Sequence, residues 1–243
     1  MKKYPITFKN FGQRAILVEW PNEVSEEILE DIIQYKTTLE AELSENFEFV
    51  IAYNSLTIID NEKKLDLKVL ETQLVNLYQK KTDLKKSERI LWEIPVCYDA
   101  EFGIDLEEVA SNLKITVSEL IKKHTSYAYT VYGIGFLPGF LYLGGLPNTM
   151  ETKRRASPRL KVAKGAVGLA GKQTGIYPQE SPGGWNIIGN CPIPIFNVKS
   201  ETPCFVNVGD KIQFKAITRA VYKLQKIEAE IGIYKLNKTL IDA

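Results

Sequence analysis

Histidine occurs once in the 243 residues, at His124, and cysteine three times, at Cys97, Cys191 and Cys204. So few ligands cannot make a standard zinc site, and no EF-hand spacing occurs, so no metal is expected on this chain. A Ser-His-Asp triad would have to be built on His124. QESPG at 179–183 has the look of a nucleophile elbow, but Gln179 stands where its first glycine belongs. Cysteines that are odd in number and far apart argue against a disulfide framework and for a reducing compartment. Charge of one sign is also lacking: 31 basic against 30 acidic residues leave a net +1, so nucleic acid is not an expected partner. No segment approaches the roughly 20 apolar residues of a membrane span. The start, MKKYPITFKNFGQ, alternates polar and apolar residues and lacks a signal peptide's apolar run. The expectation is a cytoplasmic protein without a membrane partner.

What is present is an ordinary globular balance, 44% hydrophobic and 25% charged, which excludes disorder as the default. The length suits two cores better than one. Residues 1–84 read as a small α+β domain. Strands are expected at 4–9 and 14–19 around a tight turn at Gly12-Gln13, then a helix capped by Ser25 with an apolar stripe Ile28, Leu29, Ile32, Ile33, Leu39, Leu43. Two more strands (47–53, 55–60) and a second helix through Leu67, Leu70, Leu74 and Leu77 complete a β-β-α-β-β-α sheet with both helices on one side. The charged run KKTDLKKSER at 80–89 reads as a linker.

Residues 85–243 form the second expected domain. A strand at 90–98 leads to two short helices, for which Asp105 with Glu108, and Thr116 with Glu119, have capping-box spacing. Twelve of the 16 glycines then fall between Gly133 and Gly189, and seven of the 11 prolines between Pro138 and Pro194. Interior glycine costs a helix about 1 kcal/mol and proline about 3 kcal/mol, so short strands and shaped loops remain, hence a mainly-β barrel or sandwich. The tail from 205 to 236, with a hairpin turn at Gly209-Asp210, is expected to close the sheet.

Two glycine patterns fail as nucleotide sites. In Gly133-Ile-Gly135-Phe-Leu-Pro138 a proline takes the third glycine of a dinucleotide fingerprint, and in GAVGLAGKQT (165–174) Ala166 and Gln173 replace required residues of a phosphate loop. The same stretch supplies the candidate site. His124 is either a cation at a helix C-terminus or a proton carrier or substrate donor. Gln173, Thr174 and Tyr177 offer amide and hydroxyl groups on a loop where Gly171 and Gly175 allow close approach, suited to a lactam or ureido group. Phe136 and Phe140, around Pro138-Gly139, suit a barrel turn's core, whereas Tyr142 has a polar tip for a site. Ser181 and Trp185 belong to a tight turn whose indole either plugs the barrel or stacks on a planar ligand. Lys153, Arg154, Arg155, Arg159, Lys161 and Lys164 read as a solvated face, from which Arg159 could grip a carboxylate or phosphate with two parallel bonds. Catalytic candidates are thus His124, Gln173 and Tyr177. Substrate-binding candidates are Phe136, Pro138, Gly139, Tyr142, Arg159, Thr174, Ser181 and Trp185.

IPVCY (94–98), FGIDLEEVA (102–110), HTSYAYTVYGIGFLPGFLYLGG (124–145) and AGKQTGIYPQESPGGWNIIG (170–189) together resemble the 5-oxoprolinase B-subunit family. That family is also known as the sporulation-kinase-inhibitor-like proteins or allophanate hydrolase subunit 1, and is related to half of the urea carboxylase carboxyltransferase domain. In the family's Pro-Arg-Arg…Pro-Arg and Val-Pro-Ala-Gly series, this sequence has Lys153 for the first proline and Ala163-Lys164 for Pro-Ala. The resemblance implies a small α+β domain followed by a cyclophilin-like β-barrel. It also implies work within a hetero-oligomer, together with the 5-oxoprolinase A-subunit and the homologous C-subunit, in opening 5-oxo-L-proline to L-glutamate at the expense of ATP. ATP belongs to the complex, and no lysine here has a biotin carrier's Met-Lys-Met setting. Two other readings stay open: a binding module that inhibits a histidine kinase, and a carboxyltransferase half-module acting on a urea-like substrate.

Overall fold

The computed structural model describes residues 4–80 and 88–241. By its contacts the chain divides after Glu88 into two compact units. The boundary expected at 84/85, and most of the charged linker, lie outside the described residues.

The first unit runs β1 (Thr7–Asn10), β2 (Ala15–Glu19), α1 (Glu26–Glu42), β3 (Phe47–Ala52), β4 (Ser55–Asp60) and α2 (Leu67–Lys80). Its strands pair antiparallel in the order β1-β2-β4-β3. Alternate residues Ile16, Val18, Leu56 and Ile58 are buried, as period-two apolar patterning dictates. Ser25 caps α1 by accepting from the Ile28 N–H at 3.3 Å. The buried face includes three residues that periodicity overlooked, Asp31, Gln34 and Tyr35. Asp31 is tolerated inside because its carboxylate accepts from Trp20 Nε1 and the Tyr78 hydroxyl, both at 2.7 Å. The first strand starts later than expected, consistent with Pro5, which has no N–H for a ladder. Residues 11–14, with Gly12 at φ +76°, make a wider connection than a two-residue turn.

The second unit comprises β5 (Arg89–Cys97), α3 (Leu106–Asn112), α4 (Val117–Ser126), β6 (Ala128–Ile134), β7 (Leu141–Gly144), β8 (Arg159–Val162) and β9 (Ala166–Ala170). After these come β10 (Gln173–Ile176), β11 (Ser181–Gly183), β12 (Asn186–Asn190), β13 (Lys211–Ile217), α5 (Arg219–Glu230) and β14 (Lys238–Ile241). Seven strands follow one another as β6-β13-β5-β12-β9-β10-β7, and β7 pairs back onto β6 to close a mixed barrel. Closure removes the exposed edges that short glycine-rich strands would otherwise leave. Only β13 and β5 run parallel within the barrel; β14 adds to β5, and β8 with β11 forms a separate ribbon. Ile94, Val96, Val131, Leu143, Leu169, Ile188 and Phe214 fill the interior. Among the described residues no helix is long and apolar enough to cross a membrane.

Three local expectations are corrected here. Gly209-Asp210 is not a hairpin: it is a turn into β13, where Asp210 accepts from Trp92 Nε1 and the Ile90 and Asn207 N–H groups at 2.9–3.1 Å. The tail beyond it is partly helical, because Thr218 caps α5 through the Val221 N–H and no glycine or proline interrupts residues 219–230. Asp105 precedes α3 but makes no side-chain cap, since tertiary partners take its carboxylate.

Candidate functional site

Helix α4 starts at a complete capping box, Thr116 with Glu119, as the spacing predicts. That start places His124 in the last turn of the helix on its inner face, fully buried against Phe214, the two rings stacked 4.5 Å apart. Its Nδ1 lies 2.7 Å from the Tyr98 hydroxyl and its Nε2 2.9 Å from Thr174 Oγ1. Thr174 Oγ1 spends its own hydrogen on the Gly168 carbonyl, 3.1 Å away, so Nε2–H donates to it and Nδ1 accepts from Tyr98. Burial pulls the imidazole pKa from 6.5 to about 3, so the ring is neutral. Both sequence readings of His124 give way: it is neither a helix-end cation nor a group that reaches solvent to move protons. Cysteine offers no substitute nucleophile. Burial pushes Cys191 up to about 12 and also raises Cys97 and Cys204, which leaves all three as thiols.

The second cluster is aromatic and lies against the outer ends of β7 and β10. Phe140, buried, makes edge-to-face contacts with Phe136, Tyr177 and Trp185, with ring centroids 5.9, 5.1 and 5.4 Å away. Tyr142 tilts against Phe140 at 4.8 Å and is half-buried. Tyr177 and Trp185 are 1% and 5% exposed and pack with Val162, Ala170 and Ile187, so they form a wall more than a surface. The Trp185 backbone N–H is directed at the Tyr177 hydroxyl, and a Cβ on Gly183 would overlap that hydroxyl.

The residues grouped on one expected loop are separated by the pleat. Gln173 to Ile176 is strand β10, so Gln173 and Thr174 face opposite sides: Thr174 joins His124 inside, and Gln173 is half-buried. Phe136, expected in a barrel core, is 67% exposed and held at φ +67°, a conformation costly for a bulky side chain. Pro138 beside it is exposed, whereas Gly139 is buried at φ +82° with the Phe196 side chain where a Cβ would go. Ser181 is buried in β11, its hydroxyl donating to the Pro182 carbonyl at 3.2 Å.

Arg159 is corrected as well. Both its Nη atoms bind the Asp105 carboxylate, at 2.9 and 2.5 Å, so its two parallel bonds go to the protein itself. Arg155 adds a bond to Asp105 at 3.0 Å and one to Glu108 at 3.1 Å, and the Ile187 N–H donates to Asp105 at 2.7 Å. Asp105 was legible in the sequence only as a cap, because its partners lie 50 to 82 residues away. Next to this knot opens a cleft of about 600 Å³ whose lining includes Lys153, Arg154, Arg155, Ser157 and Asn186. Arg154, read from sequence as part of a solvated face, lies over the Trp185 ring at 6.0 Å.

The model of the family described as carboxyltransferase domain, subdomain C and D, matches residues 6–206. The chain is 33% identical over 236 residues to the 5-oxoprolinase B-subunit of Bacillus subtilis (strain 168), covering 91% of this chain and 97% of that protein. The chain belongs to the 5-oxoprolinase B-subunit family. The family member from Haemophilus influenzae is 42% identical over 170 residues, 69% of this chain and 78% of its own length. Among solved structures, TTHA0988 superposes with a TM-score of 0.72 at 32% identity over 84% of this chain, which spans only 40% of TTHA0988. The Kluyveromyces lactis urea amidolyase shares the fold alone, with a TM-score of 0.83 at 19% identity, over 99% of this chain and 16% of its own. The family match takes in the Phe136 loop, the cleft and the aromatic wall; β13, α5 and β14 lie beyond it.

Proposed function

We propose that this chain is the B-subunit of a multi-subunit, ATP-dependent 5-oxoprolinase that opens 5-oxo-L-proline to L-glutamate. The observation that carries the reading is the alignment with the Bacillus subtilis 5-oxoprolinase B-subunit along 97% of that protein. A lactam carbonyl is a poor electrophile, and ATP would supply its activation by phosphorylating the carbonyl oxygen ahead of attack by water. The chain's own contribution is binding and exclusion of water: an aromatic wall, with Tyr142 and Gln173 as its half-buried polar groups. Its histidine is sealed and neutral and its thiols are protonated, so neither is assigned a proton-transfer role in this reading. The exposed, strained Phe136 with Pro138 is the surface we assign to a partner, the homologous C-subunit; the A-subunit then completes the assembly. In this reading the barrel is cyclophilin-like, the assembly is cytoplasmic, and ATP acts at the level of the complex, with no metal or biotin expected on this chain.

Purified chain should release no glutamate by itself and should do so with ATP once the A- and C-subunits are added. A complete mixture that stays inactive refutes the proposal. Dependence on a biotinylated carrier and a urea-like substrate would instead favour the carboxyltransferase half-module, a reading supported by 31% identity over 84 residues to the urea amidolyase of Saccharomyces cerevisiae. Tight binding to a histidine kinase, with no activity in the mixture, would favour the inhibitor.

A further inference from the structure

Three cations, Lys153, Arg154 and Arg155, line the cleft against two carboxylates, Glu108 and Glu151. Their situations differ. Arg155 is consumed by Asp105 and Glu108, and nearby Arg159 by Asp105. Arg154 is exposed, and among the described residues no carboxylate pairs with it. Its backbone is nonetheless rigidly fixed on both sides. Thr152 exchanges two backbone hydrogen bonds with Gly171, at 3.1 and 2.6 Å, Asn186 Nδ2 donates to the Lys153 carbonyl at 2.8 Å, and the Arg155 N–H donates to the Gly184 carbonyl at 2.8 Å. The guanidinium lies over the Trp185 ring, its central carbon 6.0 Å from the ring centroid. A guanidinium held over a ring face and not paired with a carboxylate keeps N–H donors for a ligand, and its planar fork matches a carboxylate.

We propose that Arg154 is the carboxylate anchor for a small, flat amide acid bound in this cleft. This rests on the function proposed above and names how that substrate class is held. Arg154 lies near enough to the Tyr142 and Tyr177 hydroxyls to act on both electrostatically, so a ligand on its N–H edge sits at the margin of the aromatic wall. Asn186, on the same lining, donates its Nδ2 hydrogens to the Lys153 and Leu169 carbonyls, so what it has left for a ligand is an acceptor oxygen, suited to a ring N–H. Lys153 adds positive charge at the rim. A neutral lactam would forgo the guanidinium, and that difference makes the anchor measurable.

The test titrates the full chain with 5-oxo-L-proline and with 2-pyrrolidinone, the same ring without its carboxylate. The signal is the Trp185 indole N–H resonance, assigned with Trp185→Phe. Losing a charge-assisted bidentate contact should weaken 5-oxo-L-proline binding to Arg154→Met by about ten- to a hundredfold. Arg154→Lys should recover part of that loss, and 2-pyrrolidinone should bind wild type and Arg154→Met equally weakly. In the assembly with the A- and C-subunits, Arg154→Met should raise KM for 5-oxo-L-proline while kcat changes little, the mark of lost ground-state binding. Among the described residues Arg154 makes no ion pair, so the variant's melting temperature should stay close to that of wild type. Equal affinity and an unaltered KM overturn the proposal. So does an Arg154-dependent signal produced by inorganic phosphate or ATP and not by carboxylates. If the assembly is inactive on 5-oxo-L-proline, the functional reading fails by itself, and Arg154 is then decided by whether the chain binds carboxylates over their neutral analogues; no such binding overturns it.

Discussion

Inside the barrel, Tyr98, His124 and Thr174 form a chain that ends on the Gly168 carbonyl, and both ring nitrogens of His124 are engaged. On the outer rim, Arg154 has an aromatic beneath it and, among the described residues, no counter-ion, while Phe136 stands exposed in a left-handed conformation. The inner residues are those usually associated with catalysis, yet desolvation has fixed their protonation and packing has removed them from any substrate. The rim residues are of types usually read as surface or core, yet they retain unspent interaction capacity. Residue type alone does not locate chemistry; the environment decides whether a polar group is already satisfied.

The sharpest way to break this contrast is at Asp105, which turns two of the arginines inward. Asp105→Ala leaves two guanidiniums and the Ile187 N–H without their shared acceptor. The expected loss is about 3 kcal/mol, read as a lower urea midpoint with unchanged slope. A loss below about 1 kcal/mol would show that solvent replaces the carboxylate and that Arg155 and Arg159 are not held by it.

A smaller effect is expected from pH. The folded pKa of His124 is depressed to about 3, whereas the unfolded chain's histidine titrates near 6.5. Below about pH 6.5 the unfolded state therefore binds the extra proton, and stability is lost as pH falls toward 3. Between pH 7 and 5 the wild type should lose about 2 kcal/mol more than His124→Gln. The His124 ring resonances should also stay fixed across that range; titration near pH 6.5 would place the ring in contact with water.

The smallest change in chain stability belongs to Phe136→Gly. Glycine relieves the positive φ but gives up the edge contact with Phe140, so stability of the isolated chain should move by no more than about 1 kcal/mol. Affinity for the partner subunits should fall clearly, by pull-down or sedimentation. Unchanged assembly would take Phe136 out of the docking surface.

Much of the fold was legible in residues near one another in sequence. The Ser25 and Thr116 caps, the stripe of α1 and the strand β4 follow from local rules, since a cap or a helical face involves partners three or four positions apart. The glycine and proline density after Gly133 pointed correctly to short strands. The barrel's parallel β5–β13 pair did not show, because it joins Leu91 to Lys211 and no turn chemistry signals it. Helix α5 was missed because Val221, Leu224 and Ile227 fit a helical period as a stripe that stays exposed. Of the candidate site, sequence singled out the stretch and not the environment of each residue: Thr174 faces inward, Arg159 is spent on Asp105, and Arg154, read as part of a solvated face, lies over Trp185.

The sequence by itself determined the family, the β-rich character of the second unit and the helix starts, because motifs, glycine density and capping are short-range properties of the chain. Only the tertiary structure decided that His124 is neutral and enclosed, that Asp105 is an ion-pair hub, and that Arg154 lies over Trp185. Each depends on groups from 26 to 82 residues apart being brought within a few ångströms. Desolvation and charge pairing, which set what a side chain can do, exist only once that has happened.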